Sequence, residues 1–162
     1  MRSTRLRAAA GTALFLVVAP GVVAGLVPWL LTGWRSSDPP TWLQAVGWAL
    51  IAAGSAVLLD AFARFVVEGI GTPAPAAPTE KLVVGGLYRY VRNPMYLAVA
   101  AVILGEAALL GQWVLVAYAA LFGALVWSFV HWYEEPTLRR RFGAAYDDYV
   151  RTVPGWWPRR PH

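Results

Sequence analysis

Four long apolar stretches, separated by short polar or proline-rich breaks, set the pattern of the chain. They cover residues 8–31, 42–59, 94–110 and 113–133. Stretches of about 20 apolar residues suit helices that cross the hydrocarbon core of a bilayer. Arg2, Arg5 and Arg7 precede the first, as in a signal peptide. That stretch outruns a normal signal h-region and further apolar stretches follow it, so it reads as a retained helix.

The breaks carry their own signals. Residues 32–41 hold Arg35, Asp38, Pro39 and Pro40 and form a polar loop. Asp60, Arg64 and Glu68 recur at a spacing of four, so they share a helical face and can pair as a charge ladder. Residues 69–78 read GIGTPAPAAP, an extended linker rather than a helix. Its Gly69-Ile-Gly71 is followed by Thr-Pro where a helix should open, which excludes a dinucleotide fingerprint. Residues 80–93 form a short basic, amphipathic segment at the interface. Gly111-Gln112 is too short for anything but an antiparallel hairpin.

Pro136 is expected to open a last helix reaching Val150. There Leu138, Phe142, Tyr146 and Tyr149 make one apolar stripe, as in a helix lying on a membrane surface. Residues 153–162 (VPGWWPRRPH) resemble an interfacial anchor of indoles and arginines. The expected fold is all-α: a polytopic membrane protein with about four transmembrane helices plus a C-terminal amphipathic interfacial helix.

Composition supports this picture and narrows it. The chain is 58% hydrophobic and 14% charged, with a mean hydropathy of +0.49. Soluble domains carry about a quarter of their residues as charges. There is no cysteine, which excludes disulfides, thiolate metal sites and cysteine nucleophiles. The net charge of +5 is spread over the ends of apolar segments. That distribution suits anionic lipid headgroups and not nucleic acid. With four crossings, Arg35 alone falls on one side and the other thirteen of the 14 Lys and Arg on the opposite side. The positive-inside rule makes that side cytoplasmic, with both termini on it, in an inner or plasma membrane of bacterial type.

The hairpin also predicts where chemistry gathers. The third apolar helix starts at the cytoplasmic face and the fourth returns to it. Asn93, Pro94, Met95 and Tyr96 therefore neighbour His131, Glu134 and Glu135. Asn93-Pro94 has the form of an N-cap with proline at the first helical position, so the helix start offers N–H groups to an anion. Arg89 and Arg92 beside it can grip an anionic group bidentately. Glu134 and Glu135 stand at the unfavourable C-terminal dipole end of an apolar helix, tolerable where a cation compensates; Pro136 also places them at the start of the next helix. His131 is a second candidate acid or base. Glu106 lies about 18 Å along its helix, toward the outer face, where outward snorkelling or a bond near Gln112 is expected.

Together these residues resemble a known pattern. Residues 85–98 (GGLYRYVRNPMYLA) and 133–158 (YEEPTLRRRFGAAYDDYVRTVPGWWP) are similar to the core of the isoprenylcysteine carboxyl methyltransferase and phospholipid methyltransferase superfamily. The likeness covers residues 72–158. It divides the chain into an N-terminal transmembrane hairpin with a cytoplasmic extension (1–70) and a methyltransferase-like core (71–162). It implies a helical membrane methyltransferase that uses S-adenosyl-L-methionine, with no metal.

By position, the resemblance assigns cofactor contacts to Lys81, Leu82, Val83, Tyr88, Asn93, Pro94, Met95, Tyr96, Glu134 and Glu135. Arg92, Glu135 and His131 are the catalytic candidates, Arg92 foremost for contact with substrate. Two positions depart from the isoprenylcysteine enzymes: Asn93 replaces a histidine, and Val130-His131 stands where they carry an arginine. The acceptor is then a lipid amine, another lipid carboxylate or a small hydrophobic molecule, drawn from the surrounding lipid. An NADPH-dependent sterol or enone reductase and a non-catalytic membrane module are the competing readings; the oligomeric state stays open.

Overall fold

The structure, a computed structural model, describes residues 2–69 and 81–160. The linker expected at 69–78 lies outside the described residues beyond Gly69. Among the described residues all regular structure is helical.

Helix α1 (Arg2–Gly21) passes through a π-helical turn, Val22–Leu26, into α2 (Val27–Thr32). The π turn has a local cause. Pro28 has no N–H, and its ring would press on the carbonyl one turn back; widening the preceding turn relieves both. The helix ends at Gly33, whose φ of 59° is the left-handed C-cap conformation that glycine adopts freely. Helix α3 (Thr41–Arg64) is followed by another π turn, Phe65–Gly69. Helices α4 (Pro94–Leu110) and α5 (Trp113–Phe129) form the expected hairpin around Gly111, φ 66°. The loop at 33–40 is laced to this turn: Ser37 N donates to Leu110 O at 2.9 Å and Gln112 Nε2 to Arg35 O at 2.9 Å.

Among the described residues, three helical stretches are long and apolar enough to cross a membrane: Ala13–Thr32, Thr41–Arg64 and Trp113–Phe142. The fourth expected span, α4, has 17 residues, about 25 Å of helix. It packs antiparallel along α3, the most extensive contact in the bundle.

The α3–α4 contact is made by small residues. A Cβ on Gly47 would sit 2.7 Å from the Gly105 carbonyl oxygen, and one on Gly54 2.7 Å from that of Ala98. The two meetings are two turns apart on both helices, so the register repeats. Lipid tails are as apolar as leucine, and close backbone approach of this kind supplies the packing that holds helices together in a bilayer. Beside this seam Leu58, Phe62, Val99, Ile103, Leu115 and Ala119 form the core of the bundle. Phe15 stacks toward Phe62 with ring centroids 6.1 Å apart, and Tyr118 Oη donates to Val23 O at 2.7 Å, joining α1 and its π turn to the rest.

The end of the chain departs from the sequence pattern. Pro136 does not open a new helix. Helix α5 runs on through a third π turn, Val130–Glu134, into α6 (Glu135–Phe142). As at Pro28, the π turn ends two residues before the proline and absorbs its missing hydrogen bond. The helix breaks instead at Gly143, φ 54°, before α7 (Ala144–Thr152). Glu134 and Glu135 therefore lie within a continuous helical path and not at the dipole end expected for them.

The stripe of Leu138, Phe142, Tyr146 and Tyr149 survives the break, but it faces protein. It joins Ala61, Val83, Tyr88 and Val153 in a second core at the basic end of the bundle. Residues 81–93 are irregular apart from one 3-10 turn at Gly86–Arg89, and they bury Val83, Tyr88 and Val91.

Candidate functional site

Proline at the first position of α4 fixes where that helix begins and aims its first turn at the π turn following α5. Tyr96 Oη donates to Glu134 Oε2 at 2.8 Å. Just before the helix, Arg92 Nη1 donates to Glu135 Oε1 at 2.6 Å and to Tyr146 Oη at 3.3 Å. The two adjacent glutamates are thus divided between two partners on the α4 side, and the meeting expected from the hairpin is made by side chains.

Arg92 is nearly buried, its side chain 14% exposed, and its Nε has no hydrogen-bond partner among the described residues. A buried donor without an acceptor costs about 1–3 kcal/mol unless something fills it. Among the described residues no side chain caps the start of α4 either. An unfilled guanidinium N–H and an uncapped helix N-terminus suit a carboxylate. Glu134, with one oxygen taken by Tyr96, suits an ammonium or ribose hydroxyls. This donor set fits a zwitterionic amino-acid cofactor.

Asn93 serves differently from the expectation. It occupies the N-cap position, yet its side chain does not cap the helix; Nδ2 donates to Gly155 O at 3.0 Å. Arg92 N donates to Pro154 O at 2.9 Å and Arg159 N to Tyr90 O at 3.0 Å. The segment 153–160 is thus a strap laid across residues 90–93, with Trp157 left exposed on it. Behind it Tyr149 Oη donates to Tyr88 O at 2.7 Å. Burial above all, followed by the nearby Tyr149, Glu134, Tyr96 and Asp60, pushes the Tyr88 hydroxyl well above the ordinary tyrosine range. Burial likewise raises Tyr146, with Glu135 adding to it and Arg92 opposing.

The other candidates divide. Pro94 is buried at the helix start, and Met95 packs against both cores. Val83 is buried in the second core and Leu82 packs on it, while Lys81 is exposed. His131 does not join the cluster: it is exposed and stacks on Trp127 with ring centroids 5.2 Å apart. Arg89 is also separated from Arg92; it lines a groove with Asp60 and Arg64. Glu106 does not snorkel outward. It is 8% exposed, with Oε2 lacking a partner, while Gln112 bonds Arg35 instead.

Tyr146 and Gly155 enter the site without having been singled out for it. The sequence offered no local signal for either: Tyr146 was legible only as part of the apolar stripe, and Gly155 only as the residue after Val153-Pro154.

The apolar helices and their packing make this chain an integral membrane protein whose polar side chains meet at the basic end of one helical hairpin. Its sequence matches the family model described as phospholipid methyltransferase over residues 42–145, well over half of the chain, and the chain belongs to that methyltransferase family. Neither a curated protein nor a solved structure matches it.

Proposed function

We propose that the protein transfers a methyl group from S-adenosylmethionine to a lipid-like or small hydrophobic acceptor at the basic end of the bundle. The observation that carries this reading is the pairing of Glu134 with Tyr96 next to Arg92, whose Nε has no partner among the described residues. Glu134, oriented by the Tyr96 hydroxyl, holds the ammonium or ribose end of the cofactor. Arg92 Nε and the start of α4 take its carboxylate. When bound, the cofactor supplies an electrophilic methyl group on a sulfonium. Glu135 fixes the Arg92 guanidinium, and the ring faces of Tyr96 and Tyr88 favour positive charge nearby. Transfer of this kind asks the protein chiefly for alignment and exclusion of water. The strap at 153–160, tied to Arg92 and Asn93, covers that side of the site.

The excess of Lys and Arg supports a cytoplasmic basic end, where the cofactor is available, with the acceptor arriving from the membrane. The test is calorimetry on the detergent-purified protein with S-adenosylhomocysteine and with NADPH. Binding of S-adenosylhomocysteine that is lost in Glu134→Gln and Arg92→Gln supports the reading. Binding of NADPH alone would replace it with a reductase, and binding of neither with a non-catalytic module.

A further inference from the structure

The site around Arg92 is shut. Arg92 Nε, the donor left for a carboxylate, is buried and has no partner among the described residues. A donor that a ligand must reach but solvent does not reach requires some part of the protein to move. The nitrogens of Arg92 show which part. Nη1 donates to Glu135 at 2.6 Å and to Tyr146 at 3.3 Å. Nη2 lies under the strap: a Cβ on Gly155 would sit 3.1 Å from it and 3.7 Å from Arg92 Cζ. Glycine at 155 thus lets the strap backbone rest directly on the guanidinium.

Everything else around Arg92 is fixed by packing. Asn93 and Tyr96 belong to the start of α4, which the glycine seam locks to α3. Glu135 stands in the continuous helical path from α5. Tyr146, Tyr149 and Val153 are buried in the second core. Past Val153 this anchoring stops. No residue of 154–160 is buried, and residues 157–160 are exposed. Three hydrogen bonds fasten the strap: Arg92 N to Pro154 O, Asn93 Nδ2 to Gly155 O and Arg159 N to Tyr90 O. No ion pair among the described residues reaches it. Segments with so little buried contact open locally far more often than a packed core does. Pro154 and Pro158 restrict the backbone at both ends, so the strap moves as a stiff arm.

We propose that residues 154–160 are a lid, hinged where α7 ends at Val153, that lifts off Arg92 to admit the cofactor and then closes over it. The lid deepens the methyltransferase reading and rests on it. Opening breaks the three hydrogen bonds and takes Gly155 off Nη2, while Glu135 and Tyr146 keep the guanidinium in place. A carboxylate at Nε supplies the partner that this buried donor lacks, so filling the site favours the closed form.

The chain has no cysteine, so a disulfide lock can be built without background. Tyr90 and Arg159, bonded through their backbones and both exposed, carry it as Tyr90→Cys with Arg159→Cys in the full-length protein. Neither belongs to the proposed cofactor site. Surface plasmon resonance on the detergent-purified protein follows association and dissociation of S-adenosylhomocysteine, before and after reduction. Both rates should be at least about tenfold slower in the oxidised form and recover when it is reduced. Equal rates in the two forms, with the disulfide verified by mass, overturn the lid.

Hydrogen exchange on the unmodified protein reads the same motion without a lock. In the absence of ligand the Arg92 and Arg159 amides should exchange at least about tenfold faster than amides in the middle of α4. S-adenosylhomocysteine should slow both together. Protection equal to that of α4 before ligand is added overturns the lid, even if no disulfide forms. The two readings fail separately. Absence of S-adenosylhomocysteine binding to the unmodified protein removes the methyltransferase reading; binding whose rates the lock leaves unchanged removes only the lid.

Discussion

Tyr96 and Glu134, 38 residues apart in sequence, share a hydrogen bond of 2.8 Å between the first turn of α4 and the π turn after α5. The bond holds one carboxylate oxygen and leaves the other for a ligand. If Glu134 grips the cofactor, Glu134→Gln removes a charged acceptor and weakens S-adenosylhomocysteine binding by about tenfold or more. Tyr96→Phe removes only the hydroxyl that orients Glu134 and weakens it by about fivefold. Calorimetry on the two variants checks this order; equal losses would mean that Tyr96 itself touches the ligand.

Arg92 and Glu135 should behave as a unit in stability. Both are largely shielded, with side chains 14% and 24% exposed. Removing either leaves the other poorly solvated, a cost of about 1–3 kcal/mol once its residual exposure is allowed for. Thermal unfolding of Arg92→Ala, Glu135→Ala and the double variant measures the coupling. The double variant should be nearly as stable as the worse single one, and simple additivity would contradict the pairing.

The glycine seam gives an internally controlled test of the fold. Gly47→Ala and Gly105→Ala each place a methyl group against the backbone of the facing helix and should cost about 1–3 kcal/mol. Gly123→Ala, in the same kind of helix but with nothing within 4 Å, should be neutral or stabilising by up to about 1 kcal/mol. Unfolding midpoints in one detergent compare the three. Because Gly47 and Gly105 meet at one point, the double variant should cost less than both added together.

Glu106 carries a buried oxygen with no partner among the described residues, about 15 Å along α4 from Tyr96. Such a group costs stability and contributes nothing to the proposed site. Glu106→Leu should raise the unfolding midpoint by about 2–6 °C, with S-adenosylhomocysteine binding unchanged. A fall in midpoint, or a loss of binding, would assign Glu106 a role that the geometry does not show.

Local signals were legible in the sequence and long-range ones only where topology enforced them. The spacing of Asp60, Arg64 and Glu68 announced the ladder because a helix has one repeat. Gly111-Gln112 announced the hairpin because so short a turn permits nothing else, and the hairpin brought Tyr96 to Glu134. Pro136 misled because proline is as compatible with a π turn before it as with a helix start, and nothing in its neighbours distinguishes the two. Asn93 looked like a cap by position. Its real partner, Gly155, is 62 residues away, and no local periodicity relates them. The aromatic stripe of α6 and α7 showed its apolar face but not whether lipid or protein would cover it.

The central claim is tested most directly by transfer of label from methyl-labelled S-adenosylmethionine into the organic-solvent extract of membrane vesicles enriched in the protein. The expected result is label in the lipid fraction with the unmodified chain, reduced at least about tenfold with Glu134→Gln at equal protein abundance. No transfer above vesicles lacking the protein, or undiminished transfer with Glu134→Gln, would contradict it.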